Sequence, residues 1–320
     1  MDNVMVTVLC TTYNHREYIR DCIEGVLAQK TQYSYEMVIY DDASTDGATD
    51  ILREYKAKYP EIFDIIFMEE NQYQKGVDIV REYIASHLRG RFTAFCDGDD
   101  YWTDSYKLQK QVDFMLDHPN IVGCGTNATV MDYRDGSTYP YCHRRRNCYL
   151  NTNDLMWGEE PLIKPSNTML RTRDYLENSE EINYMGGYSD RPVLLCMSLI
   201  SDVYYMAEET IVYRQFTPGS WTANHIVYVD HDNDLRDSVE KINKLSGYKF
   251  DEEIRRKYNN LEYRKANASG DWGLLECVGY GRLIRYGCKD IAVSLWIHKN
   301  MSGIHENIKK LWRKARKIEE

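Results

Sequence analysis

The first hundred residues alternate four times between short apolar, β-branched runs and stretches with apolar residues at helical spacing, and no other feature narrows the fold as much. The runs are Val4 to Cys10 (VMVTVLC), Tyr35 to Tyr40 (YEMVIY), Ile62 to Met68 and Phe92 to Cys96 (FTAFC). Between the first two, Tyr18, Ile19, Cys22, Ile23, Val26 and Leu27 share one helical face, which predicts an amphipathic helix over 16–29. Helices are expected likewise over 48–59 and 77–88. Strands that are apolar throughout, joined by helices, imply a parallel sheet covered on both faces. Ligands of such sheets bind beyond the carboxyl ends of the strands. Three of the four runs end in polar clusters, TTYN at 11–14, DDASTDG at 41–47 and DGDD at 97–100. These clusters are expected to converge on one crevice.

Past residue 120 the pattern loosens. A strand is expected over 121–130, then a polar, aromatic and basic stretch over 133–153 that holds His143-Arg144-Arg145-Arg146. Periodicity returns at 167–170, 192–201 and 203–213, and beyond Trp221 the chain reads as helices at 235–245, 251–266 and through 273–297.

Charge removes one class of function. With 40 Lys and Arg against 50 Asp and Glu, the chain carries −10 and a pI near 5.4, whereas nucleic-acid binding depends on a basic footprint that displaces counterions. The last twenty residues are locally basic, with six Lys or Arg and three Glu. No apolar run approaches the length of a membrane span, and Met1 to Cys10 has neither a basic leader nor a cleavage site, so a cytoplasmic protein is expected. Nine cysteines scattered singly, with no CxxC pair, read as reduced core thiols. Cys142, His143 and Cys148 resemble half a zinc site, and the chain offers no second half.

The polar clusters carry the chemistry. Carboxylates on a turn after a strand, with a glycine that lets a ligand approach the backbone, suit a hard divalent cation that in turn holds a diphosphate. Three carboxylates within Asp97-Gly98-Asp99-Asp100 repel one another unless a cation or hydrogen-bond donors offset them. Ser44 to Gly47 have the composition of a helix cap and turn, which leaves Asp41 and Asp42 unexplained. Tyr13 offers a flat face for a nucleobase and a hydroxyl for hydrogen bonding.

In order, VTVLCTTYN, a helix, YEMVIYDDASTDGA and then FTAFCDGDDYW resemble family 2 of the nucleotide-sugar glycosyltransferases, inverting enzymes with a GT-A fold. The resemblance implies an α/β fold with a mixed, mostly parallel sheet flanked by helices. It implies a catalytic domain over 1–222; past it, the residue pattern alone predicts a helical region over 223–300 and a basic amphipathic tail over 301–320. Thr11 and Tyr13 would line the nucleobase pocket, Asp42 would accept a hydrogen bond from a uracil imide, and Asp41 would support that loop. Asp97 would face the ribose or sugar, and Asp99, with Asp100 beside it, would coordinate Mn²⁺ or Mg²⁺ bridging the phosphates. Asn71 and Lys75 fall where the family carries a loop near the donor, without its longer glycine and arginine pattern. The best match to the family's catalytic base is Asp190 in Gly186-Gly187-Tyr188-Ser189-Asp190-Arg191-Pro192.

Val212-Tyr213-Arg214-Gln215-Phe216 has an arginine but no QxxRW box, which favours addition of a single sugar over processive synthesis. The implied partners are a nucleotide-sugar donor, most simply a UDP-sugar, and a glycan or lipid-linked glycan acceptor. Residues 305–318 alternate apolar and basic positions, which suits an interfacial helix drawn to anionic lipid or a terminal helix docked on the body. Two rival functions stay open from these residues: a nucleotide-sugar binding module that has lost its chemistry, and a metal-dependent nucleotidyltransferase. TTYNHRE lacks the glycine-rich loop that a nucleotidyltransferase carries after its first strand.

Overall fold

The computed structural model describes residues 4–157, 163–185, 190–218, 220, 223, 231–269, 272, 280–285 and 287–300. The chain divides into two compact units, Met1–Ile242 and Asn243–Glu320. The first is built on a ten-stranded sheet: β1 (Val6–Thr12), β2 (Tyr35–Asp41), β3 (Phe63–Phe67), β4 (Phe92–Phe95), β5 (Tyr101–Trp102), β6 (Gly123–Asp132), β7 (Thr138–Pro140), β8 (Cys148–Leu150), β9 (Thr168–Arg171) and β10 (Val203–Gln215). Along its main path the order is β3-β2-β1-β4-β9-β6-β10-β5, with β7 on β6 and β8 on β10.

The sheet is mixed. β1 pairs in parallel with both β2 and β4, β2 with β3, and β6 with β10. Antiparallel β9 lies between β4 and β6, so β6 and β10 point the same way as β1. The chain steps outward from β1 through β2 to β3, then returns to lay β4 on the other side of β1. That reversal leaves a crevice beyond the carboxyl ends of β1 and β4.

The apolar runs become central strands because both faces are covered. Val6, Val8, Cys10, Met37, Ile39, Phe92, Ala94 and Cys96 pack against Ile19, Cys22, Ile23 and Val26 of α1 (Ile19–Leu27), Leu52 and Tyr55 of α2 (Ala48–Lys58), and Leu108, Val112 and Met115 of α3 (Lys107–Asp117). On the opposite face, Phe95 meets Tyr175 of α5 (Thr172–Glu177) edge to face, and Thr93 bonds Thr172 at 2.9 Å. Gly25 lets α1 lie directly on β5, since a Cβ there would come within 2.8 Å of the Trp102 carbonyl oxygen.

Two segments differ from the sequence expectation. The 77–88 stretch, expected as a regular helix, forms a wide π turn over Val80–Ile84 followed by one 3₁₀ turn, Ala85–His87. Its ends are fixed, by Asp78 accepting the Arg81 amide and by His87 on Asp64, and the wide turn keeps Val80, Ile84 and Leu88 buried. Within the polar stretch 133–153, short strands β7 and β8 pair with β6 and β10.

The remaining helices of the first unit are α4 (Thr152–Trp157), α6 (Ser179–Met185) and α7 (Asp190–Ser198), and α8 (His231–Leu245) contains the division. In the second unit, α9 (Asp251–Ser269), α10 (Tyr280–Arg285) and α11 (Lys289–Asn300) close over Ala266, Trp272, Leu283, Ile291 and Leu295. Residues 301–320, expected as a basic tail, lie outside the described residues. Among the described residues no helix is long and apolar enough to cross a membrane.

One buried charge runs against this packing. Lys107 is fully buried, donates to Gln111 Oε1 at 2.6 Å and sits 4.3 Å from the centre of the Trp102 ring. Burial lowers its pKa from 10.5 to about 8. Between those two values the unfolded chain holds the proton and the folded chain does not, so stability rises with pH there, and the penalty is whole below pH 8. Lys107→Met should therefore stabilise the fold at pH 7 by on the order of 1–3 kcal/mol, net of the lost hydrogen bond and ring contact. Denaturant unfolding of both proteins should show that gain shrinking as pH is raised towards 10.5. A gain that does not change with pH contradicts the assignment.

Candidate functional site

The strand ladders continue past the ends of β1, β2 and β4 and draw the three polar clusters together. Gly98 donates its amide to Thr11 O at 3.0 Å, and Asp42 donates to Thr12 O at 3.0 Å. Side chains complete the seam: Asn14 N bonds Ser44 Oγ at 2.9 Å, Thr45 N bonds Asn14 Oδ1 at 2.8 Å, and Arg16 N bonds Asp46 Oδ2 at 2.8 Å. Asp46 also takes the Ala48 amide at 2.9 Å, just ahead of α2, whose N-cap is Gly47 at φ +99 with no side-chain cap bond.

Each candidate carboxylate has a distinct setting. Asp41 is buried and braces its own loop, accepting from Ser44 N at 3.1 Å and Thr49 Oγ1 at 2.6 Å. Asp42, also buried, accepts from Tyr40 Oη at 3.1 Å, Gln72 N at 2.7 Å and Tyr73 N at 3.1 Å. Three of its four lone-pair positions are thereby filled, which leaves one on Oδ2. Burial, and then the adjacent Asp42 charge, raise the Tyr40 pKa, so the phenol stays protonated and donating.

Asn71 belongs to the same corner, giving its amide to Asp42 O at 3.3 Å and accepting from Gln74 N at 2.8 Å. Lys75 does not face the corner's carboxylates; it pairs with Glu70 on the exposed side of the turn. Thr11 Oγ1 lies 3.5 Å from Asp97 Oδ1, while Tyr13 is 39% exposed at the crevice mouth.

The 97–100 turn is held from two directions. Asp97 is half-buried and accepts from Ser166 Oγ at 2.6 Å, and Ser166 comes from the 3₁₀ turn Pro165–Asn167 before β9. Asp100 is buried and accepts the Arg214 backbone amide at 3.0 Å. Burial, then the Asp99 and Asp97 charges beside it, push its pKa well above the usual carboxylate range. Asp99 is half-buried, and its carbonyl receives Arg214 Nη1 at 2.9 Å. The Arg214 guanidinium also reaches Asp21 on α1 and lies 4.4 Å from the Tyr101 ring centre and 5.2 Å from that of Tyr18.

No site role for Arg214 or Ser166 follows from the amino-acid pattern alone. A usable signal existed for the first, a charged residue closing an otherwise apolar strand, VYRQF. For Ser166 the only signal was its place in a polar stretch before β9. Asp190 opens α7 as expected; its side chain and residues 186–189 lie outside the described residues.

The donor set can be tested against a cation. Two half-buried carboxylates, Asp97 and Asp99, share one turn, and Thr12 Oγ1 and His15 Nδ1 are buried polar atoms without hydrogen-bond partners. Both of those atoms press on Gly98, where a Cβ would come within 2.7 Å and 2.8 Å of them. Among the described residues no three His, Cys, Asp or Glu side chains form a metal cage. Such a set fits an ion that keeps water and phosphate oxygens among its ligands, as Mg²⁺ and Mn²⁺ do.

The model of "Glycosyl transferase family 2" matches residues 7–179. An uncharacterized protein of Mycobacterium tuberculosis (strain ATCC 25618 / H37Rv) is 35% identical over 239 residues, covering 70% of this chain and 62% of its own length. The chain thus spans less than two thirds of that relative. The UDP-Glc:alpha-D-GlcNAc-diphosphoundecaprenol beta-1,3-glucosyltransferase WfaP of Escherichia coli is 33% identical over 111 residues, covering 35% of this chain and 41% of its own. Among solved structures, S. aureus TarS 1-349 in complex with UDP-GlcNAc aligns with a TM-score of 0.54 at 15% identity, over 93% of this chain and 92% of that one. At that identity the likeness shows the fold, a GT-A arrangement of mixed sheet and flanking helices.

Removing the clamp should expose its contribution. Arg214→Ala should lower stability by about 2–4 kcal/mol, through loss of the hydrogen bond to Asp99 and the cavity left among Tyr18 and Tyr101. Arg214→Lys should recover part of that loss, since lysine restores charge but not the planar fork. Urea unfolding checks both, and an unchanged midpoint for the alanine variant contradicts the clamp.

Proposed function

The chain belongs to glycosyl transferase family 2, and from that membership we propose that it moves one sugar, with inversion, from a UDP-sugar to a hydroxyl of a glycan or lipid-linked glycan. The observation that carries this reading is the carboxylate turn 97–100, clamped by Ser166 and Arg214 at the carboxyl ends of β1 and β4, beside the Asp42 corner. The name of the Escherichia coli relative, a glucosyltransferase using UDP-Glc, and the UDP-GlcNAc bound to the S. aureus neighbour support a uridine nucleotide and a sugar donor.

In this reading the uracil stacks on Tyr13 beside Thr11, and its imide donates to the remaining lone pair of Asp42 Oδ2. Asp41 fixes the loop that presents Asp42, and Asn71 borders the base. Asp97 faces the ribose or the sugar. Asp99, with Asp97 and the buried Asp100 beside it, would hold Mn²⁺ or Mg²⁺. When bound, such an ion supplies positive charge against the negative charge that gathers on a departing diphosphate.

Asp190 is assigned the general base. Its carboxylate takes the proton of the acceptor hydroxyl as that oxygen bonds to the anomeric carbon, and the electron pair of the breaking bond leaves with the diphosphate. The sugar passes through an oxocarbenium-like transition state. On its sequence pattern alone, the 305–318 stretch is assigned to contact with an anionic membrane surface.

A panel of nucleotide sugars incubated with the full chain, with and without Mn²⁺, tests the reading. UDP-sugars should release UDP in the presence of the ion. Pyrophosphate release would point to nucleotidyl transfer, and binding without turnover to a module that has lost its chemistry. Asp99→Asn should abolish release while the melting curve stays native. Asp190→Asn should bind UDP normally and lose transfer by roughly 10² to 10⁴, the range for removing a general base. Retention of the anomeric configuration in the product would reject inversion.

A further inference from the structure

We infer that Lys164, set against the rings of Tyr141 and Tyr213 with Tyr139 at their outer edge, reads an anionic substituent, carboxylate or phosphate, on the acceptor sugar. This rests on the glycosyl-transfer reading above. Lys164 Nζ lies 3.6 Å from the ring centre of Tyr213 and 5.5 Å from that of Tyr141, and the two rings meet edge to face at 6.0 Å. Strand register puts the tyrosines on one face of the sheet. Tyr139 on β7 and Tyr213 on β10 both stand opposite Val130 of β6. Tyr141 lies two positions beyond Tyr139, with its amide on Ala128 O at 2.8 Å, so all three side chains point the same way.

The lysine is held at both ends of its own backbone. Its amide donates to Asn167 Oδ1 at 3.0 Å and its carbonyl accepts from Thr168 Oγ1 at 2.6 Å, while Asn167 is itself buried and bonded to Thr126 O at 2.6 Å. At the outer edge the Tyr139 hydroxyl donates to Gln215 Oε1 at 2.9 Å, and its ring stays 39% exposed. Half-buried Lys164, Tyr141, Tyr213 and Gln215 thus form a floor beside one exposed aromatic face.

The cluster adjoins the carboxylate turn. Ser166, two residues past Lys164, bonds Asp97 Oδ2 at 2.6 Å, and the Lys164 charge acts on the buried Asp100 carboxyl, opposing the rise in pKa that burial causes. The sheet order places β1 and β2 on one side of β4, and β6 and β10 on the other. The nucleobase corner at Asp42 and the Lys164 cluster therefore flank the turn from opposite sides. An inverting displacement brings the acceptor hydroxyl in opposite the departing diphosphate, and the nucleobase corner fixes the donor on the β2 side. Lys164 stands on the side left to the acceptor.

The chemistry selects for negative charge. Tyrosine faces hold an ammonium in place without neutralising it. A carboxylate or phosphate oxygen that reaches Nζ gains a charge-assisted hydrogen bond, about twice as strong as one made by a neutral hydroxyl. The C–H face of the same sugar packs on the Tyr139 ring while its hydroxyls meet the Gln215 amide. Lysine is a compact point charge with three donors and no planar fork, so it reads the charge and takes either oxyanion.

A glycan array of neutral, carboxylated and phosphorylated oligosaccharides, probed with the full chain plus UDP and Mn²⁺, tests the subsite. Wild type should retain at least one acidic class about tenfold more strongly than its neutral counterparts, and the class retained identifies the oxyanion. Lys164→Met and Lys164→Gln, which drop the charge, should each remove that preference, and Lys164→Arg should keep it. Tyr139→Ala should cut retention about fivefold. All four variants should bind UDP like wild type in parallel titrations and keep native melting curves. Equal retention of neutral and acidic saccharides, retention of none, or an unchanged preference in the uncharged variants overturns the subsite. So does a matching loss of UDP affinity in those variants, which would assign the ammonium to the donor diphosphate. Failure of wild type to bind UDP overturns the transfer reading beneath it.

Discussion

Like charges crowded on one turn set the terms for the whole crevice. Asp97, Asp99 and Asp100 repel one another, and the fold answers with the Ser166 hydroxyl on Asp97, the Arg214 amide on Asp100 and the Arg214 guanidinium on the Asp99 carbonyl. None of these donors is local: they lie 69, 114 and 115 positions along the chain from their acceptors. The turn therefore takes its native shape only when the 3₁₀ turn before β9 and the end of β10 are seated in the sheet. Arg214 joins the same turn to α1 through Asp21 and lies against the Tyr18 ring just before that helix. Its loss would loosen three elements at once.

Backbone strain follows the same geography. Asn14, Ala43 and Phe216 are non-glycine residues with positive φ, and they stand just past the carboxyl ends of β1, β2 and β10. Each such residue costs on the order of 1–2 kcal/mol. Hydrogen bonds between neighbouring loops hold the first in place, through Asn14 to Ser44 and Thr45. The strands supply a rigid frame, and the strained residues aim the loops that the frame carries.

Much of the first hundred residues was legible because it rests on local periodicity. The apolar runs at 4–10, 35–40, 62–68 and 92–96 became β1 to β4, and the three polar clusters met at one crevice as expected. The 77–88 segment misled because Val80, Ile84 and Leu88 have helical spacing, while fixed ends at Asp78 and His87 impose wider winding. Strands β7 and β8 were hidden in a polar stretch because edge strands of three residues carry no readable alternation. The carboxylates of the site could be picked out by their position after strands. Their partners could not, since one serine in a polar stretch and one arginine at a strand's end acquire meaning only through contacts formed far along the chain. Asp42 shows the same limit: its type and place suggested a ligand contact, and the structure adds three protein donors that the sequence spacing does not reveal.

In the proposed function, the 97–100 turn and the Asp42 corner together receive a uridine diphosphate held through a divalent cation. Calorimetric titration of the full chain with UDP, in the presence of Mn²⁺ and then of EDTA, addresses it most directly, with Asp99→Asn measured alongside. Binding should be at least tenfold tighter with the ion than without it, and the variant should lose that difference. UDP binding of equal strength with Mn²⁺ and with EDTA, or no UDP binding in either, would contradict it.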